Sequence, residues 1–480
     1  MWAKELLFEV DCRLQYGTRE IPDAFEITDV VTSPLGNLHA ALFVCVKTPI
    51  ADGHYAAFAA YENGCRLFLA ERGLALPADA TVLVTEETEP LLGALAAKCY
   101  GYPARSLSLV GVTGTVGKTA VILMAGKLLG AAGHRVAVVT TNGYDLGEGF
   151  VPFLGGAPDA AAMEGLLRDL LLVGVEEVLL ELSAYMLAHG VANALDFSLT
   201  LLTNLSPQHI GEGTHRSFAE YTDAKTRLFQ KSAHLTIQPA RGGLSTKGSV
   251  LTFGEGGDVF VHTPEGQEIS VGAPLVLSYK GEAVAAISPV TGEFFAENIA
   301  AAISICLALG MPLAEIARML PEAAPPAVLE CIYEGDGKRI FLDTAYTADA
   351  LSRALSSLRG STPLCLSVLL GSVGGRAKSR RAPLGEAAVC GADVVYFTSD
   401  DPDGENPLQI YRDMTATVMD DAARFTFCAD RVEAIATAVA ALRSGDTLLI
   451  LTKEEETQLC QGQRLPFSDR ETVRRALLEI

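Results

Sequence analysis

Short apolar runs alternate along this chain with longer stretches whose apolar positions recur every three to four residues. The runs Leu107 to Val110, VAVVT (136–140), VEEVLLEL (175–182) and FSLTLLTNL (197–205) read as strands, and a helical pattern separates each from the next. Such alternation predicts a mostly parallel sheet covered on both faces. Residues 232–290, rich in Gly, Thr and Val with GEGGD and TPEGQ turns, read as a β-rich extension, and a helix is expected at 297–309. PEAAPPAVLE (321–330) has the composition of a linker. Beyond it RIFLDTA, PLCLSVLLG, VVYFTS, RFTFCA and DTLLILT again alternate with helical segments, which predicts a Rossmann-like domain. Upstream, short strands and helical stretches such as HYAAFAAYENGC suggest a small α/β domain. The expected fold class is therefore α/β in three domains. They cover residues 1–102, 103–325 (with a central P-loop parallel sheet) and 326–480.

The segment LVGVTGTVGKTAVILMAGKLLG (109–130) carries the clearest chemistry, in the order strand, glycine-spaced loop, helix. Gly114 and Gly117 would let backbone N–H groups approach phosphate oxygens, and the helix N-terminus adds its positive dipole end. Lys118 would place a cation on the β- and γ-phosphate oxygens, and Thr119 would offer a hydroxyl to Mg²⁺. The eight-residue form G-x-x-x-x-G-K-[ST] is not met, because Val112 stands five residues before Gly117. The match is to the shorter G-T-x-G-K-T, so the nucleotide-binding candidates are Gly114, Thr115, Gly117, Lys118 and Thr119. The plain alternative is a glycine-rich turn that opens a buried helix.

Composition narrows the partners. With 58 acidic against 37 basic residues the net charge is −21, which argues against nucleic acid and anionic membrane surfaces. A chain of 480 residues that is 49% hydrophobic and 20% charged can bury several ordinary cores. The start MWAKELLFEVDCRL has no secretory pattern, and no later run reaches about 18 apolar residues. A cytoplasmic monomer is expected. The ten cysteines are scattered without C-x-x-C spacing, so they signal neither a zinc site nor a disulfide framework.

The segments GVTGTVGKTA, LLELSAYML, LTNLSPQHIGEGTHRSFAEYTDAKTRLF, GEFFAENIAAAIS, FLDTAYTADAL, GSVGGR, TSDDPDGENP and LPFSDRETVRRAL follow one another in an order and spacing that resembles the Mur ligases over nearly the whole chain. Within that family the resemblance is to the UDP-N-acetylmuramoyl-tripeptide synthetase type. It implies an ADP-forming ligase that makes an acyl phosphate from a carboxylate and ATP, then lets an amine attack it. The implied cofactors are ATP and Mg²⁺, with two ions expected. The implied substrates are a nucleotide-sugar peptide and an amino acid.

Residue by residue, the resemblance implies that Glu181 and His209 bind metal with Thr119, and that Lys225 is carbamylated and holds the second Mg²⁺. Lys118, Lys225, His209 and Glu181 are then the catalytic candidates. Asn298 and Asp343 match positions that contact adenine and ribose. Substrate-binding candidates are Ser183, Arg376, Asp400, Asp403 and Glu456. Taken alone, a strand-end Glu is also found as a solvated rim charge, a lone His as a structural residue, and Lys225 as a helix-surface lysine in a salt bridge. Asn298 and Asp343 read equally well as cap or loop polar groups.

Several positions depart from the family's pattern. Val116 stands for Asn, Gly156-Ala157-Pro158 for T-T-P, Ser183-Ala184-Tyr185 for S-S-H, and Gln208-His209 for D-H. Val191 and Val328 stand for arginines, and Tyr346 for His. Diaminopimelate-adding members carry D-N-P-R, where this chain has Asp400-Asp401-Pro402-Asp403. An acid there repels a distal carboxylate and suits an ammonium group. Three readings result. The first is addition of a basic amino acid, not diaminopimelate, to UDP-N-acetylmuramoyl-L-alanyl-D-glutamate. The second is the same chemistry on a different carboxylate, and the third a nucleotide-binding paralogue without turnover. The first is preferred, because the resemblance spans all three domains.

Overall fold

The computed structural model describes residues 1–478 apart from 49–50, 148, 154–156, 207–216, 232–233, 247, 265–266, 268, 293–294, 326–328, 346–347, 375–377, 403, 419–423, 453–456 and 461–462. It divides into two compact units, Met1–Val259 with Ala301–Pro312, and Phe260–Ala300 with Leu313–Ile480. Each major sheet in them is dominated by parallel strands with helices in the connections, so the α/β class expected from the sequence holds.

The first unit contains two of the sheets. The N-terminal one has the spatial order Arg13–Leu14, Thr81–Val84, Leu67–Ala70, Ala41–Val44, Asp29–Val31, and only its first strand runs antiparallel. The central one has Ser249–Phe253, Leu235–Pro239, Leu199–Leu202, Ser108–Thr113, Glu177–Glu181 and Val136–Val139 side by side and parallel. Strands buried on both faces should read as unbroken apolar runs rather than alternating ones, and LTLL (199–202) and VLLE (178–181) are buried throughout. Register then does the work that matters for chemistry. Glu181 lies opposite Val112, and Leu202 opposite Thr113, so the carboxyl ends of three adjacent strands come level.

The helix Lys118–Ala131 is apolar almost all round, as befits a helix enclosed on several sides. It sits very close to the sheet, since a Cβ on Gly126 would lie 2.3 Å from Val138 Cγ2. The helix Ala160–Leu172 begins at Asp159, whose carboxylate accepts from the N–H groups of Ala161 (2.9 Å) and Ala162 (2.8 Å). Its first turn joins the core of the N-terminal sheet through Ala160 and Ala161, while Met163, Leu167 and Leu170 join the central core.

In the second unit the strands Pro274–Tyr279 and Glu282–Ile287 form an antiparallel hairpin. The C-terminal sheet has the order Glu330–Gly335, Lys338–Asp343, Thr447–Leu451, Leu366–Leu370, Val394–Thr398, Phe425–Cys428, and all but the first strand are parallel. Among the described residues, no helix is long and apolar enough to cross a membrane.

One buried group stands out in the first unit. Glu164 is 1% exposed, and neither carboxylate oxygen has a hydrogen-bond partner among the described residues. Burial pushes its carboxyl up to about 7, so the fold disfavours the charged form. The unfolded chain releases this proton at the ordinary carboxylate pKa and the folded chain keeps it. Stability should therefore fall as pH rises from about 4.5 to about 7. Glu164→Gln should flatten that fall and raise the melting temperature by a few degrees above pH 7; thermal melts of both proteins across this range check it.

Candidate active site

The strand Ser108–Thr113 delivers the loop Gly114–Gly117 to the N-terminus of the helix Lys118–Ala131. Both glycines are required by conformation, with φ at +148° for Gly114 and +84° for Gly117. A Cβ on Gly114 would also lie 1.9 Å from Thr203 Oγ1. The loop tip is tied to the segment after the strand Leu199–Leu202. Asn204 closes a two-bond ring with Val116, accepting from its N–H (3.0 Å) and donating to its carbonyl (3.0 Å). The Thr203 hydroxyl donates to the same carbonyl (2.7 Å), and the Thr115 N–H donates to the Asn204 carbonyl (3.0 Å). Tyr221 Oη donates to Thr115 Oγ1 (3.2 Å), which accepts from the Ser206 N–H (3.0 Å). The tip is thus held from outside, leaving the first-turn N–H groups of the helix without intrahelical acceptors.

Four side chains gather at the carboxyl ends of the strands. Glu181, 4% exposed, accepts a hydrogen bond from Thr119 Oγ1 (2.7 Å) and lies 3.8 Å from Lys118 Nζ. Lys118 Nζ also donates to the Thr115 carbonyl (3.2 Å). Lys225 comes from the helix Phe218–Phe229, which Ser217 caps by accepting from the Glu220 N–H (3.2 Å). Far from lying on the helix surface, Lys225 is 1% exposed and donates to the Gly114 carbonyl (2.6 Å), with Nζ 4.6 Å from the Tyr221 ring centroid. Burial, then repulsion from Lys118, push its pKa well below the usual lysine value, and Glu181 pulls in the opposite direction.

This donor set suits a triphosphate with Mg²⁺. Helix-terminal N–H groups and Lys118 match phosphate oxygens, the two glycines leave room for them, and the Thr119 hydroxyl with the Glu181 carboxylate supplies hard oxygen ligands. Among the described residues, no three His, Cys, Asp or Glu side chains converge. A Mg²⁺ ion here would complete its shell with phosphate oxygens and water, as Mg²⁺ sites ordinarily do.

The other candidates lie elsewhere on the fold. Ser183 caps the helix Ala184–Ala188, accepting from the Met186 N–H (3.1 Å). Asn298 is buried on the helix Phe295–Ala308. In the second unit, Asp343 ends the strand Lys338–Asp343 and accepts from the Leu329 N–H (2.8 Å). Burial pushes its carboxyl up to about 7 against the pull of the Leu329 and Ala345 N–H groups. Asp400 follows the strand Val394–Thr398 and is half-buried. His209, Arg376, Asp403 and Glu456 lie outside the described residues, as do Gly156, Gln208, Val328 and Tyr346. Thr203, Asn204 and Tyr221 received no role from the sequence. For Thr203 and Asn204 the signal was a pair of polar residues directly after the buried strand Leu199–Leu202, within the stretch LTNLSPQHI.

Residues 112–306 match the Mur ligase middle domain, and residues 329–453 match the Mur ligase, glutamate ligase domain. A UDP-N-acetylmuramoyl-L-alanyl-D-glutamate--2,6-diaminopimelate ligase of Geobacillus thermodenitrificans is 31% identical over 476 residues, covering 94% of this chain and 95% of the relative. The chain belongs to the Mur ligase family. It is accordingly an ATP-dependent, ADP-forming ligase that joins a carboxylate to an amine. A ligase of the same name from Bacillus licheniformis is 30% identical over 487 residues, covering 97% of each chain. Among solved structures, one of a ligase of that name superposes with a TM-score of 0.65 at 24% identity, covering 100% of this chain and 99% of the other. MurF from Thermotoga maritima in complex with ADP gives 0.61 at 18% identity, covering 95% of this Mur ligase and 99% of MurF. Folylpolyglutamate synthase of Mycobacterium tuberculosis complexed with ADP gives 0.62 at 15%, covering 80% and 93%. At these identities the structural likeness is one of fold.

The outside tie on the loop makes a measurable claim. Asn204→Ala leaves the Val116 N–H without its side-chain acceptor and the Val116 carbonyl with Thr203 alone, and should weaken ADP binding by roughly tenfold. Calorimetric titration with Mg²⁺-ADP checks this, and an unchanged Kd would mean that the loop holds its shape without Asn204.

Proposed function

We propose that this Mur ligase activates the free carboxylate of UDP-N-acetylmuramoyl-L-alanyl-D-glutamate and joins it to an amino acid with a cationic side chain. The observation that carries the reading is the convergence of Lys118, Thr119, Glu181 and Lys225 at the level carboxyl ends of adjacent parallel strands. In this reading residues 1–102 take the uridine diphosphate end, 103–325 the ATP, and 326–480 the amino acid.

Bound Mg²⁺-ATP supplies the phosphoryl group that converts a carboxylate into an acyl phosphate open to attack by an amine. The chain's own residues hold and orient the reactants. Gly114, Thr115 and Gly117 shape the phosphate cradle, and Lys118 offsets charge on the transferring group. Thr119, Glu181 and His209 would hold one Mg²⁺, with carbamylated Lys225 assigned to the second; Asn298 and Asp343 are assigned to adenine and ribose. Lys225 is suited to carbamylation because its lowered pKa leaves a larger fraction as free amine. The amine nitrogen bonds to the carbon of CO₂ and loses a proton to solvent, and the cation becomes an anion able to ligate metal.

The choice of amino acid rests on charge. Asp403 occupies the position where diaminopimelate-adding members carry arginine, and Asp400 and Glu456 add further acid. A carboxylate side chain would meet repulsion there, and an ammonium group attraction. A second reading, the same chemistry on another carboxylate, is favoured by Val191. This position, an arginine in the family's pattern, is 5% exposed and packs in the apolar core with Met186 and Leu187.

Phosphate release by the purified protein should require Mg²⁺-ATP, bicarbonate, the nucleotide dipeptide and a basic amino acid together. Release with diaminopimelate but not with lysine or ornithine would sink the charge argument. Release with none of them would shift the weight to another carboxylate. Asp403→Arg should move acceptance from basic amino acids toward diacids. Lys225→Ala should lose most activity and regain part of it when short carboxylates such as acetate are added; full activity without them would remove Lys225 from the mechanism.

A further inference from the structure

Two buried arginines of the second unit have no part in the reaction as described. Arg431, 5% exposed, opens the helix Arg431–Ala441, and Arg381, 0% exposed, opens the helix Arg381–Gly391. A cation at a helix N-terminus faces the positive end of the helix dipole, so neither is placed there to stabilise its own helix. Burying a guanidinium also demands that its donors be met. What meets them is informative.

Arg431 forms a two-pronged pair with Asp469, Nε to Oδ1 at 2.8 Å and Nη2 to Oδ2 at 2.8 Å. Its remaining donors reach two backbone carbonyls, Nη1 to Ser399 (3.1 Å) and Nη2 to Leu451 (2.6 Å). Ser399 immediately precedes Asp400, and Leu451 ends the strand that leads into 452–456. Arg381 forms a two-pronged pair with Glu405 (2.8 and 2.7 Å), reaches Asp413 (2.7 Å), and donates to the carbonyl of Val373 (3.0 Å). Val373 lies in the loop after the strand Leu366–Leu370.

The strands Thr447–Leu451, Leu366–Leu370 and Val394–Thr398 are neighbours in the parallel sheet, so their loops emerge side by side at its carboxyl edge. Ligands of open α/β sheets bind at such an edge. Two of the loops interlock directly. The Gly374 N–H donates to the Asp401 carbonyl (2.7 Å), and a Cβ on Gly374 would fall 1.9 Å from the Pro402 carbonyl oxygen. The arginines therefore fix the bases of all three loops, and the glycine contact fixes how closely two of them approach.

We propose that Arg431 and Arg381 are positioning residues that set the spacing of these three loops and thereby the selectivity for the amino acid. This rests on the reading that the same loops receive the amino acid. Lysine keeps the charge at either position but loses the fork that reaches a carboxylate and a carbonyl together.

The test measures melting temperature and steady-state kinetics for Arg431→Lys, Asp469→Asn, Arg381→Lys and Glu405→Gln. Mg²⁺-ATP, the nucleotide dipeptide, L-lysine and meso-diaminopimelate serve as substrates. For variants that fold, KM for L-lysine should rise roughly ten- to a hundredfold, with KM for ATP and kcat within about twofold, and the preference between the two amino acids should narrow. Glu405→Gln removes a charge from a partly exposed partner and keeps the test open if an arginine variant does not fold. Asp400→Asn separates the two levels of the argument. If it raises KM for lysine while the folded clamp variants do not, the clamp is overturned and the loop reading stands. If it too leaves KM unchanged, the loop reading falls and the clamp with it. A parallel change in all constants, without a shift in amino-acid preference, would mark the arginines as structural and overturn the proposal.

Discussion

Two lysines and one glutamate share a nearly dry space at the ends of the central strands, and most of the first unit is arranged to make that tolerable. Like charges in a medium of low dielectric repel strongly, and among the described residues Lys118 and Lys225 have only Glu181 between them as a full counter-charge. Backbone carbonyls supply the rest, Thr115 for Lys118 and Gly114 for Lys225. Those carbonyls face the right way because the loop turns through two glycines at positive φ and because Thr203, Asn204 and Tyr221 hold its tip. Strand register brings the glutamate level with the loop. A triphosphate and its metal would relieve the same strain by adding the missing negative charge beside the lysines and a hard cation beside the glutamate.

The parts of this arrangement that were legible in the sequence are the local ones. Gly114 to Thr119 reads as a phosphate loop because the features it needs lie within a few consecutive residues after an apolar run. The parallel central sheet reads from the same logic, since a strand buried on both faces leaves an unbroken apolar signature. The clamp on the loop was not legible, because Asn204 meets Val116 across 88 positions of sequence and nothing local marks the pairing. Lys225 was ambiguous for a related reason. Its helix is amphipathic, and only the packed structure decides that the lysine points inward. Glu164 gave no signal at all, since an acid in a helix that also carries Arg168 and Asp169 reads as part of its solvated side.

The second unit handles buried charge differently. There the cations are arginines paired with carboxylates and carbonyls through their terminal nitrogens, and the buried Nε of Arg381 has no hydrogen-bond partner among the described residues. Breaking such a pair by removing one partner costs about 3–5 kcal/mol, whereas replacing the whole pair with apolar groups is often neutral. The fold could thus have packed those places with hydrocarbon. Guanidinium groups do what hydrocarbon cannot, since each specifies the position of backbone carbonyls in two dimensions at once. A chain with a net charge of −21 can supply acidic partners freely, and the buried Lys225, Arg381 and Arg431 sit near the carboxyl edges of their sheets, where loops meet.

The contact between Gly126 and Val138 couples what each of the two positions can hold. Glycine in a helix interior costs about 1 kcal/mol relative to alanine, so drift toward alanine at 126 would be favoured by the helix alone. The 2.3 Å approach to Val138 Cγ2 opposes it unless that methyl group moves aside. Alanine at 126 therefore requires a compensating shift or a smaller side chain at 138, and shrinking 138 alone leaves a hole in the core. The glycine persists because its neighbour holds the door shut.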